Sequence, residues 1–573
     1  MRPIRPVELL LAAGLSLLAA AAVLSHQKDD SPTFDEPYHL YAGLEYAADG
    51  TFWLNLEHPP LLKLLAGASL RPLGVTTPGR GRPAETTPHG GFLDWFYRNR
   101  LPADALVAAG RAPFPWVLSL LVLVVWGAAR TLWGPVPALL AAGLVAFEPN
   151  FVGHAGLIHT DVGAALTMTA AAVLSLLACE KGRAAVWAAA GAALGVALAT
   201  KFTAVLLVPL VLVLPLVWGV TGRPRPAGGR VARNLLGALL ALAAALAVLW
   251  GVYAFCMRNM PAARAEAAVR WYLADRQAPP ATIRRFAALS RLSPPLGHYA
   301  AGLAGVSLIS GAGRGANYFR GEVSEKAFPL YFPAAFLVKT TPAFLLFAFA
   351  ALLFGGRELL RFRILALLLP AAVVLAAAVR SHFNIGVRHI LPVYALLAIA
   401  GAGLLAERIP RFFPALAAAL LLGSAASLLA SHPDEMSYFN AIAGGPEGGS
   451  RWLSDSNVDW GQDLKRLGRF LREKGWEETT TIVAYSGVAM NYYSPKARVL
   501  DPAVALGPGR YAVGATTETI GPWLFARLEG PASGRQVAAL VRLLRERGVR
   551  VARVGGSITI WELPPAAFPP GPS

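Results

Sequence analysis

The segment NLLGALLALAAALAVLWGVYAFCM, residues 234–257, runs for 24 positions without a charged side chain. A helix needs about 20 mostly apolar residues to cross the hydrocarbon core of a bilayer. The whole 573-residue chain has the same character, because 55% of its residues are hydrophobic and only 15% are charged, whereas soluble domains carry about 25% charged residues. We therefore predict a polytopic membrane protein and exclude a cytosolic enzyme, a disordered chain and a secreted disulfide-rich scaffold.

Eleven segments of this kind follow one another and predict a bundle of about 11 transmembrane helices. They are residues 7–24, 112–130, 134–149, 161–179, 184–200, 203–220, 234–257, 336–354, 364–380, 389–406 and 412–430. Arg2 and Arg5 favour a cytoplasmic N-terminus, and we interpret the first segment as an uncleaved anchor rather than a signal peptide. An odd number of spans then places the C-terminus outside.

The basic residues between the segments support this orientation. Every short loop that is predicted to be cytoplasmic contains Arg or Lys, as the positive-inside rule requires. These residues are Arg130, Lys181, Arg183, Arg223, Arg225, Arg230, Arg233, Arg357, Arg361, Arg363, Arg408 and Arg411. The net charge of +18 belongs mainly to residues 1–430, since residues 431–573 carry 16 basic and 14 acidic residues. Because no soluble domain is strongly basic, we expect no nucleic-acid partner.

The long outer regions define the domains. Loops 25–111 and 258–335 belong to a transmembrane domain of residues 1–430. Residues 431–563 alternate strand-like and helix-like runs, which predicts an extracytoplasmic α/β domain. The strand-like runs are Thr481–Ser486, Tyr511–Thr516 and Ser557–Leu563, and the helix-like runs are Gln462–Lys474 and Arg535–Arg547. The Pro-rich end, residues 564–573, is expected to be disordered.

Two features of the composition concern the compartment. Only 9 of the 52 basic residues are lysine, and this bias, with many Ala, Gly and Pro, indicates a GC-rich bacterial genome. We therefore expect the protein in the cell (inner) membrane. Cys179 and Cys256 fall at opposite membrane faces in the predicted topology, so we expect no disulfide.

The stretch Phe34-Asp35-Glu36-Pro37-Tyr38-His39 lies just outside the first membrane segment. Two interpretations are open for its adjacent carboxylates. Asp35 is the N-cap of a surface helix that begins at Pro37, or both carboxylates belong to an active site. The second interpretation requires other polar clusters on the same side of the membrane.

Such clusters do occur on the outer side of the predicted topology. Their members are Glu57, His58 and Lys63 in the first outer loop, Glu148, His154, His159 and Asp161 around the fourth segment, and Lys201, Arg380, Arg388 and His389 at outer turns. Ionisable groups at membrane depth are costly and usually functional. Snorkelling to the headgroups is an alternative for Lys201, whereas the Asp161 carboxylate is too short for it. Carboxylates that accept a proton from a hydroxyl, beside cations that hold a phosphate leaving group, favour sugar transfer from a lipid-linked sugar phosphate.

Three of these motifs also resemble a known family. Phe34–His39 resembles the Asp-Glu motif in the first outer loop of the protein O-mannosyltransferases, the dolichyl-phosphate-mannose-protein mannosyltransferases. Glu57-His58-Pro59-Pro60-Leu61 is similar to a stretch in their bacterial relatives, and so is His159-Thr160-Asp161 at the head of the fourth segment. Residues 1–430 as a whole resemble the C-type glycosyltransferase superfold, which also includes the aminoarabinose lipid A transferases.

The resemblance implies an integral membrane glycosyltransferase with a polyprenyl-phosphate sugar as donor and a protein, lipid or glycan hydroxyl as acceptor. The sugar, a hexose such as mannose, would be transferred in one step with inversion. Asp35 would be the general base, Glu36 would assist or orient it, and Asp161 would be the second acidic residue. From charge and sidedness we add Lys63, Lys201, Arg388 and His389 as ligands of the donor phosphate. Glu57, His58 and His159 are the candidate substrate contacts.

Several alternatives stay open at this point. A divalent metal is one, since His39, His58, His154 and His159 share a side with Asp35, Glu57 and Asp161, although their spacing matches no strong zinc motif. No other cofactor is expected. A transporter or flippase of lipid-linked sugars, or a scaffold for the outer domain, are the alternative functions. In the tail, the stretch from Asp455 to Lys465 is either a strand-to-helix loop or an acceptor or sugar contact.

Overall fold

The computed structural model describes residues 3–76, 95–222, 228–312 and 315–568. The predicted cytoplasmic Arg2, Arg223 and Arg225 lie outside these ranges, as do residues 569–573 of the predicted disordered tail. The first part of that tail is ordered, because Pro565–Ala567 form a short 3-10 helix. The Ala567 carbonyl there accepts a hydrogen bond from Arg547 at 2.6 Å.

All eleven predicted segments contain helices in the part of the chain that the structure describes. Nine helical spans there are long and apolar enough to cross a membrane. They are Pro6–Gln27, Ala103–Trp133, Asp161–Lys181, Phe202–Thr221, Gly228–Cys256, Pro342–Leu360, Phe362–Arg380, Val387–Arg408 and Phe413–Ser431. The chain is therefore a multi-pass helical membrane protein, as predicted.

The two remaining predicted segments depart from a full straight span. Pro135–Ala146 and Pro149–Ala155 form a pair bent by 56°. The bend follows from Pro149, which lacks a backbone donor and stands in the first turn of the second helix. Ala184–Thr200 is straight and apolar but has only 17 residues.

The two ends of the bundle differ in chemistry, as the predicted topology requires. At the end assigned to the cytoplasm, Arg130 Nε donates to Glu8 at 2.5 Å and Arg363 Nε donates to Glu180 at 2.6 Å. Arg363 also donates to the Leu132 carbonyl oxygen at 2.9 Å. These contacts join three loops that the positive-inside rule assigned to one side.

Small residues let the helices pack closely in the bundle. Gly191 and Gly195 lie four positions apart on Ala184–Thr200 and face the helix Gly228–Cys256. A Cβ at Gly191 would overlap the Ala241 carbonyl oxygen, and one at Gly195 would lie 2.6 Å from the Ala245 carbonyl oxygen. Spacing of this kind is typical of membrane helices whose backbones touch.

Two spans are more enclosed than the others described, and both begin at the outer end. The apolar window of Asp161–Lys181 is 78% buried and that of Val387–Arg408 is 83% buried. The first begins with Asp161 and the second carries Arg388 and His389 in its first turn. The packed centre of the bundle therefore fixes the backbones that carry the predicted site.

Short helices cover this outer end. The first outer loop contains Glu36–Leu44 and Leu61–Leu70, and the second contains Ala262–Asp275, Pro280–Leu292 and Pro294–Ala312. The second also contains a hairpin of β1 (Asn317–Phe319) and β2 (Glu322–Ser324), which leads to the helix Tyr331–Lys339. One boundary was predicted too late in the sequence: Ala103–Arg111 belongs to the span Ala103–Trp133, not to the outer loop.

The C-terminal region forms the predicted α/β domain. Its strands are β3 (Thr480–Val483), β4 (Arg498–Val499), β5 (Gly509–Gly514), β6 (Val549–Val554) and β7 (Ile558–Leu563), in the sheet order β4-β3-β5-β7-β6. Strands β4, β3 and β5 are parallel, whereas β7 is antiparallel to both β5 and β6. Its main helices are Leu464–Lys474, Ala515–Leu528 and Pro531–Arg547. Strands β4 and β6 and the helix Ala515–Leu528 were not predicted, and both of these strands are edge strands with mostly exposed residues.

We expect Gly191→Val to destabilise the bundle, because the side chain would push Ala184–Thr200 away from Gly228–Cys256. Overpacking of this kind costs about 1–3 kcal/mol or more. Gly251→Val is the matched control, since nothing described lies within 4 Å of a Cβ at Gly251. Thermal unfolding of the purified proteins in detergent tests the prediction, and equal melting temperatures for the two variants would contradict it.

Candidate active site

Asp161 lies at the centre of the polar cluster at the outer end of the bundle. It begins its helix and is only 2% exposed. Lys201, which follows the helix Ala184–Thr200, donates to Oδ1, and Arg388 donates to Oδ2 at 3.3 Å. A buried carboxylate requires such partners, and these two cations share one anion. The three side chains together carry a net positive charge.

A histidine fixes the turn that carries Asp161. The Asp161 amide donates to Nδ1 of His159 at 2.9 Å, and Nε2 of His159 lies 2.6 Å from the His154 carbonyl oxygen. Nδ1 of His159 also lies 3.0 Å from Oδ2 of Asp161. The predicted substrate contact His159 therefore also supports the backbone beneath the acidic residue.

Asp35 faces the same cluster with an uncommitted carboxylate. It precedes the helix Glu36–Leu44 but makes no capping hydrogen bond, which contradicts the N-cap interpretation. No donor in the described ranges reaches its side chain, whereas Arg388, Glu57 and Asp161 interact with it electrostatically. Burial raises the pKa of Asp35 to about 6, although Arg388 opposes the shift. Asp35 is therefore the acid in this cluster that is able to exchange a proton with a ligand.

Glu36 points away from the cluster and anchors the loop. Arg111 Nε donates to Oε1 at 2.7 Å and Arg111 Nη2 donates to Oε2 at 2.5 Å. The Thr33 and Ile158 amides donate to the same carboxylate at 2.8 and 2.9 Å. Burial acts to raise the pKa of Glu36, but Arg111 and these amides hold it below its ordinary value. Glu36 thus positions Asp35 through the backbone, which fits the predicted orienting role and no direct part in proton transfer.

Lys63 does not join the cluster, contrary to the sequence-based prediction. Its ammonium donates to the Tyr46 hydroxyl, to both oxygens of Asn55 and to the His58 carbonyl at 2.6 to 3.1 Å. It is 1% exposed. Four acceptors surround an ammonium that has only three protons, so Lys63 holds the turn of residues 55–58 and is not available to a phosphate.

The other predicted contacts lie around the cluster. His58 packs edge-on against His39, with ring centroids 5.1 Å apart, and interacts electrostatically with Lys201 and Asp161. Glu57 accepts from Arg276 at 2.9 Å. His389 is electrostatically coupled to Lys201 and Arg388, and its Nε2 is buried without a hydrogen-bond partner in the described ranges. Apart from Glu36 and Lys63, the residues predicted for the site therefore lie in or around the polar cluster.

Three residues of the C-terminal domain also reach the cluster. Asp455 and Tyr485 interact electrostatically with Asp35 and Arg388. The Tyr485 ring stacks on Phe34 at 4.2 Å, and the Arg388 guanidinium lies 4.0 Å from the Trp460 ring. The polar stretch around Asp455 was visible in the sequence, but nothing in the sequence indicated that it folds back onto the membrane domain.

The metal alternative requires three suitable ligands in one place. Among the residues that the structure describes, no three His, Cys, Asp or Glu side chains form a group of that kind. Instead, Asp161 is paired with cations and His154 is oriented by the Asn150 carbonyl oxygen at 2.8 Å.

Comparison with known proteins finds similarity between this chain and membrane glycosyltransferases. Residues 108–251 match the family described as dolichyl-phosphate-mannose-protein mannosyltransferase. The apo oligosaccharyltransferase of Archaeoglobus fulgidus superimposes with a TM-score of 0.50 at 13% identity, over 93% of this chain and 68% of that one. The family match and this superposition confirm the predicted C-type fold.

Two further solved structures are similar over different extents. The S. cerevisiae protein O-mannosyltransferase Pmt1-Pmt2 complex bound to the sugar donor matches at 20% identity, with a TM-score of 0.36, over 45% of this chain and 35% of that one. ArnT from Cupriavidus metallidurans in the apo state matches at 13% identity, with a TM-score of 0.31, over 98% of both chains. This chain therefore spans well under two thirds of the yeast protein. No curated protein matches its sequence.

We expect Arg111→Leu to destabilise the protein strongly, because it leaves the Glu36 carboxylate buried without its cation. Removing one partner of a buried ion pair costs about 3–5 kcal/mol. Adding Glu36→Gln to this variant removes the stranded charge and is expected to recover part of the loss. Arg270→Leu, which breaks the exposed Arg270–Glu266 pair, is the control and is expected to melt like the wild type. An Arg111→Leu protein with wild-type thermal stability would contradict the anchoring role.

Proposed function

We propose that this chain, which has the C-type glycosyltransferase fold, transfers a sugar from a polyprenyl-phosphate donor to an acceptor hydroxyl on the extracytoplasmic face of a bacterial cell membrane. One observation carries the proposal. The unpartnered Asp35 carboxylate interacts electrostatically with Arg388, which Asp161 holds together with a second cation, Lys201. A base beside a prearranged phosphate-binding pair suits group transfer from a phosphate ester.

The proposed reaction is a single inverting displacement. Asp35 takes the proton of the acceptor hydroxyl while the hydroxyl oxygen attacks the anomeric carbon of the sugar. The bond from that carbon to the phosphate oxygen breaks, and its electron pair leaves with the polyprenyl phosphate. The attacking and leaving oxygens lie on opposite faces of the carbon, so the configuration inverts.

The cations would stabilise the leaving phosphate. Asp161 neutralises only one of the two positive charges. It also holds Lys201 and Arg388 in place before the substrate binds. Charge-assisted hydrogen bonds from such preorganised donors are strong where water is excluded. Phosphate binding is therefore assigned to Lys201 and Arg388, with His389 beside them, and no longer to Lys63.

The family match supports a choice of the sugar and the acceptor to test first. Because residues 108–251 match a family described as mannosyltransferases of proteins, mannose is the first donor sugar to test and a protein hydroxyl is the first acceptor. Glu57, His58 and His159 line the side of the cluster near Asp161 and are proposed as substrate contacts.

We expect Asp35→Asn to lower sugar transfer by about 10²–10⁴-fold, the usual contribution of a general base. Binding of undecaprenyl phosphate should stay near the wild-type level, because Lys201 and Arg388 are intact. The measurement is release of undecaprenyl phosphate from undecaprenyl-phosphate-mannose by the purified protein with a membrane extract as acceptor source. Asp29→Asn removes a surface carboxylate of the same outer loop and serves as control. Wild-type turnover in Asp35→Asn would refute the base assignment.

The rate is also expected to depend on pH through Asp35. The base must be ionised to accept a proton, and its pKa is raised by burial to about 6. The ionised fraction therefore falls as the pH drops through this value, and kcat/KM should decrease roughly tenfold per pH unit below it. In Asp35→Asn the residual rate should lose this acid limb. A wild-type rate that stays flat from pH 7 to about pH 5 would disagree with the assignment.

A further inference from the structure

The loop Ser454–Trp460 of the C-terminal domain is inserted into the outer end of the bundle. The Val387 amide donates to Asn457 Oδ1 at 2.9 Å, and Lys339 Nζ donates to the Asn457 carbonyl at 2.7 Å. Asn457 Nδ2 donates to the Tyr331 hydroxyl at 2.8 Å, and Ser456 Oγ donates to the Ile385 carbonyl at 2.6 Å. These bonds connect the loop to the elements on both sides of Arg388 and hold it rigidly.

Asp455 has an unusual conformation within this loop. Its φ is +57°, in the left-handed region that residues other than glycine seldom adopt. The Ser456 amide donates to its Oδ1 at 2.5 Å. Left-handed residues cost free energy and persist where the surroundings impose them, often at binding sites. The half-buried Asp455 carboxylate interacts electrostatically with Asp35 and Arg388.

Arg388 provides a second, independent indication of a ligand. The side chain is 9% exposed, and it is held by Trp460 on one face and by Asp161 at Nη1. Its Nε is buried and has no hydrogen-bond partner among the described residues. Buried guanidinium donors are normally satisfied, so this nitrogen indicates an oxygen atom supplied by a bound molecule.

From this arrangement we propose that Asp455 binds the sugar ring of the lipid-linked donor through the hydroxyl groups of the sugar. The inference rests on the proposed function, in which Arg388 holds the donor phosphate and Asp35 acts at the anomeric carbon. The sugar ring joins these two points, and Asp455 interacts electrostatically with both Arg388 and Asp35. A carboxylate oxygen accepts hydrogen bonds from hydroxyl groups and none from a lipid tail. The C-terminal domain thereby contributes to donor recognition.

The test compares the affinities of the full-length protein in nanodiscs for two kinds of lipid. One is undecaprenyl phosphate, and the other is undecaprenyl phosphate loaded with mannose, glucose or galactose. Asp455→Asn is expected to weaken binding of the preferred sugar-loaded lipid about tenfold or more, as for a hydrogen bond to a charged group. Binding of undecaprenyl phosphate should change less than about twofold, because the phosphate ligands are untouched.

Two further variants keep the test decisive. Asp455→Asn and Asp455→Gly both remove the carboxylate charge. Asn tolerates the left-handed conformation and Gly adopts it freely, so both variants are compatible with the backbone at this position. Asp501→Asn is the matched control, since Asp501 also accepts from a nearby amide, that of Ala503, but is exposed. It is expected to keep both affinities.

The possible failures of the two hypotheses are distinguishable. Folded Asp455→Asn and Asp455→Gly proteins that bind the sugar-loaded lipids as tightly as the wild type would overturn the role of Asp455 and leave the proposed function standing. A wild-type protein that binds undecaprenyl phosphate but none of the sugar-loaded lipids would overturn both. A merely structural role would lower the melting temperature and leave the affinity ratio of the two lipids unchanged, which also contradicts the proposal.

Discussion

The outer end of this membrane bundle is organised around one buried carboxylate. Asp161 begins one helix, Lys201 follows the end of another, and Arg388 precedes a third. Two cations this close in a medium of low dielectric repel each other, and the anion between them makes their approach favourable. The same contact therefore sets the relative position of three helices and leaves the surplus positive charge that the proposed chemistry needs.

The helical part of the fold and the sidedness of the site were predictable from the sequence, because both depend on hydropathy and on the placement of Arg. The predicted topology placed Asp35, Asp161, Lys201 and Arg388 on the same side of the membrane, and these residues lie in one cluster. Sidedness does not determine where a side chain points. Lys63 lies on the correct side but finds four oxygen acceptors beneath the surface, and Glu36 turns inward to Arg111.

The contribution of the C-terminal domain was less predictable, for a physical reason. The polar stretch around Asp455 looks like an ordinary strand-to-helix loop because local sequence alone favours that structure. Its insertion depends on partners far along the chain, such as Tyr331 and Val387. Long-range hydrogen bonds of this kind leave no periodic pattern in a single sequence.

The C-terminal domain also shares its core with the first outer loop. Leu464 and Ile482 pack in one cluster with Leu40, and the Ser31 amide donates to the Gln462 carbonyl at 2.8 Å. A Cβ at Gly487 would overlap the Thr33 carbonyl oxygen. The boundary near residue 430 is thus a boundary in sequence but not in space. An exchange of this domain between homologous enzymes, in evolution or in the laboratory, has to carry the loop from Ser31 to Leu44 with it as one recombination unit.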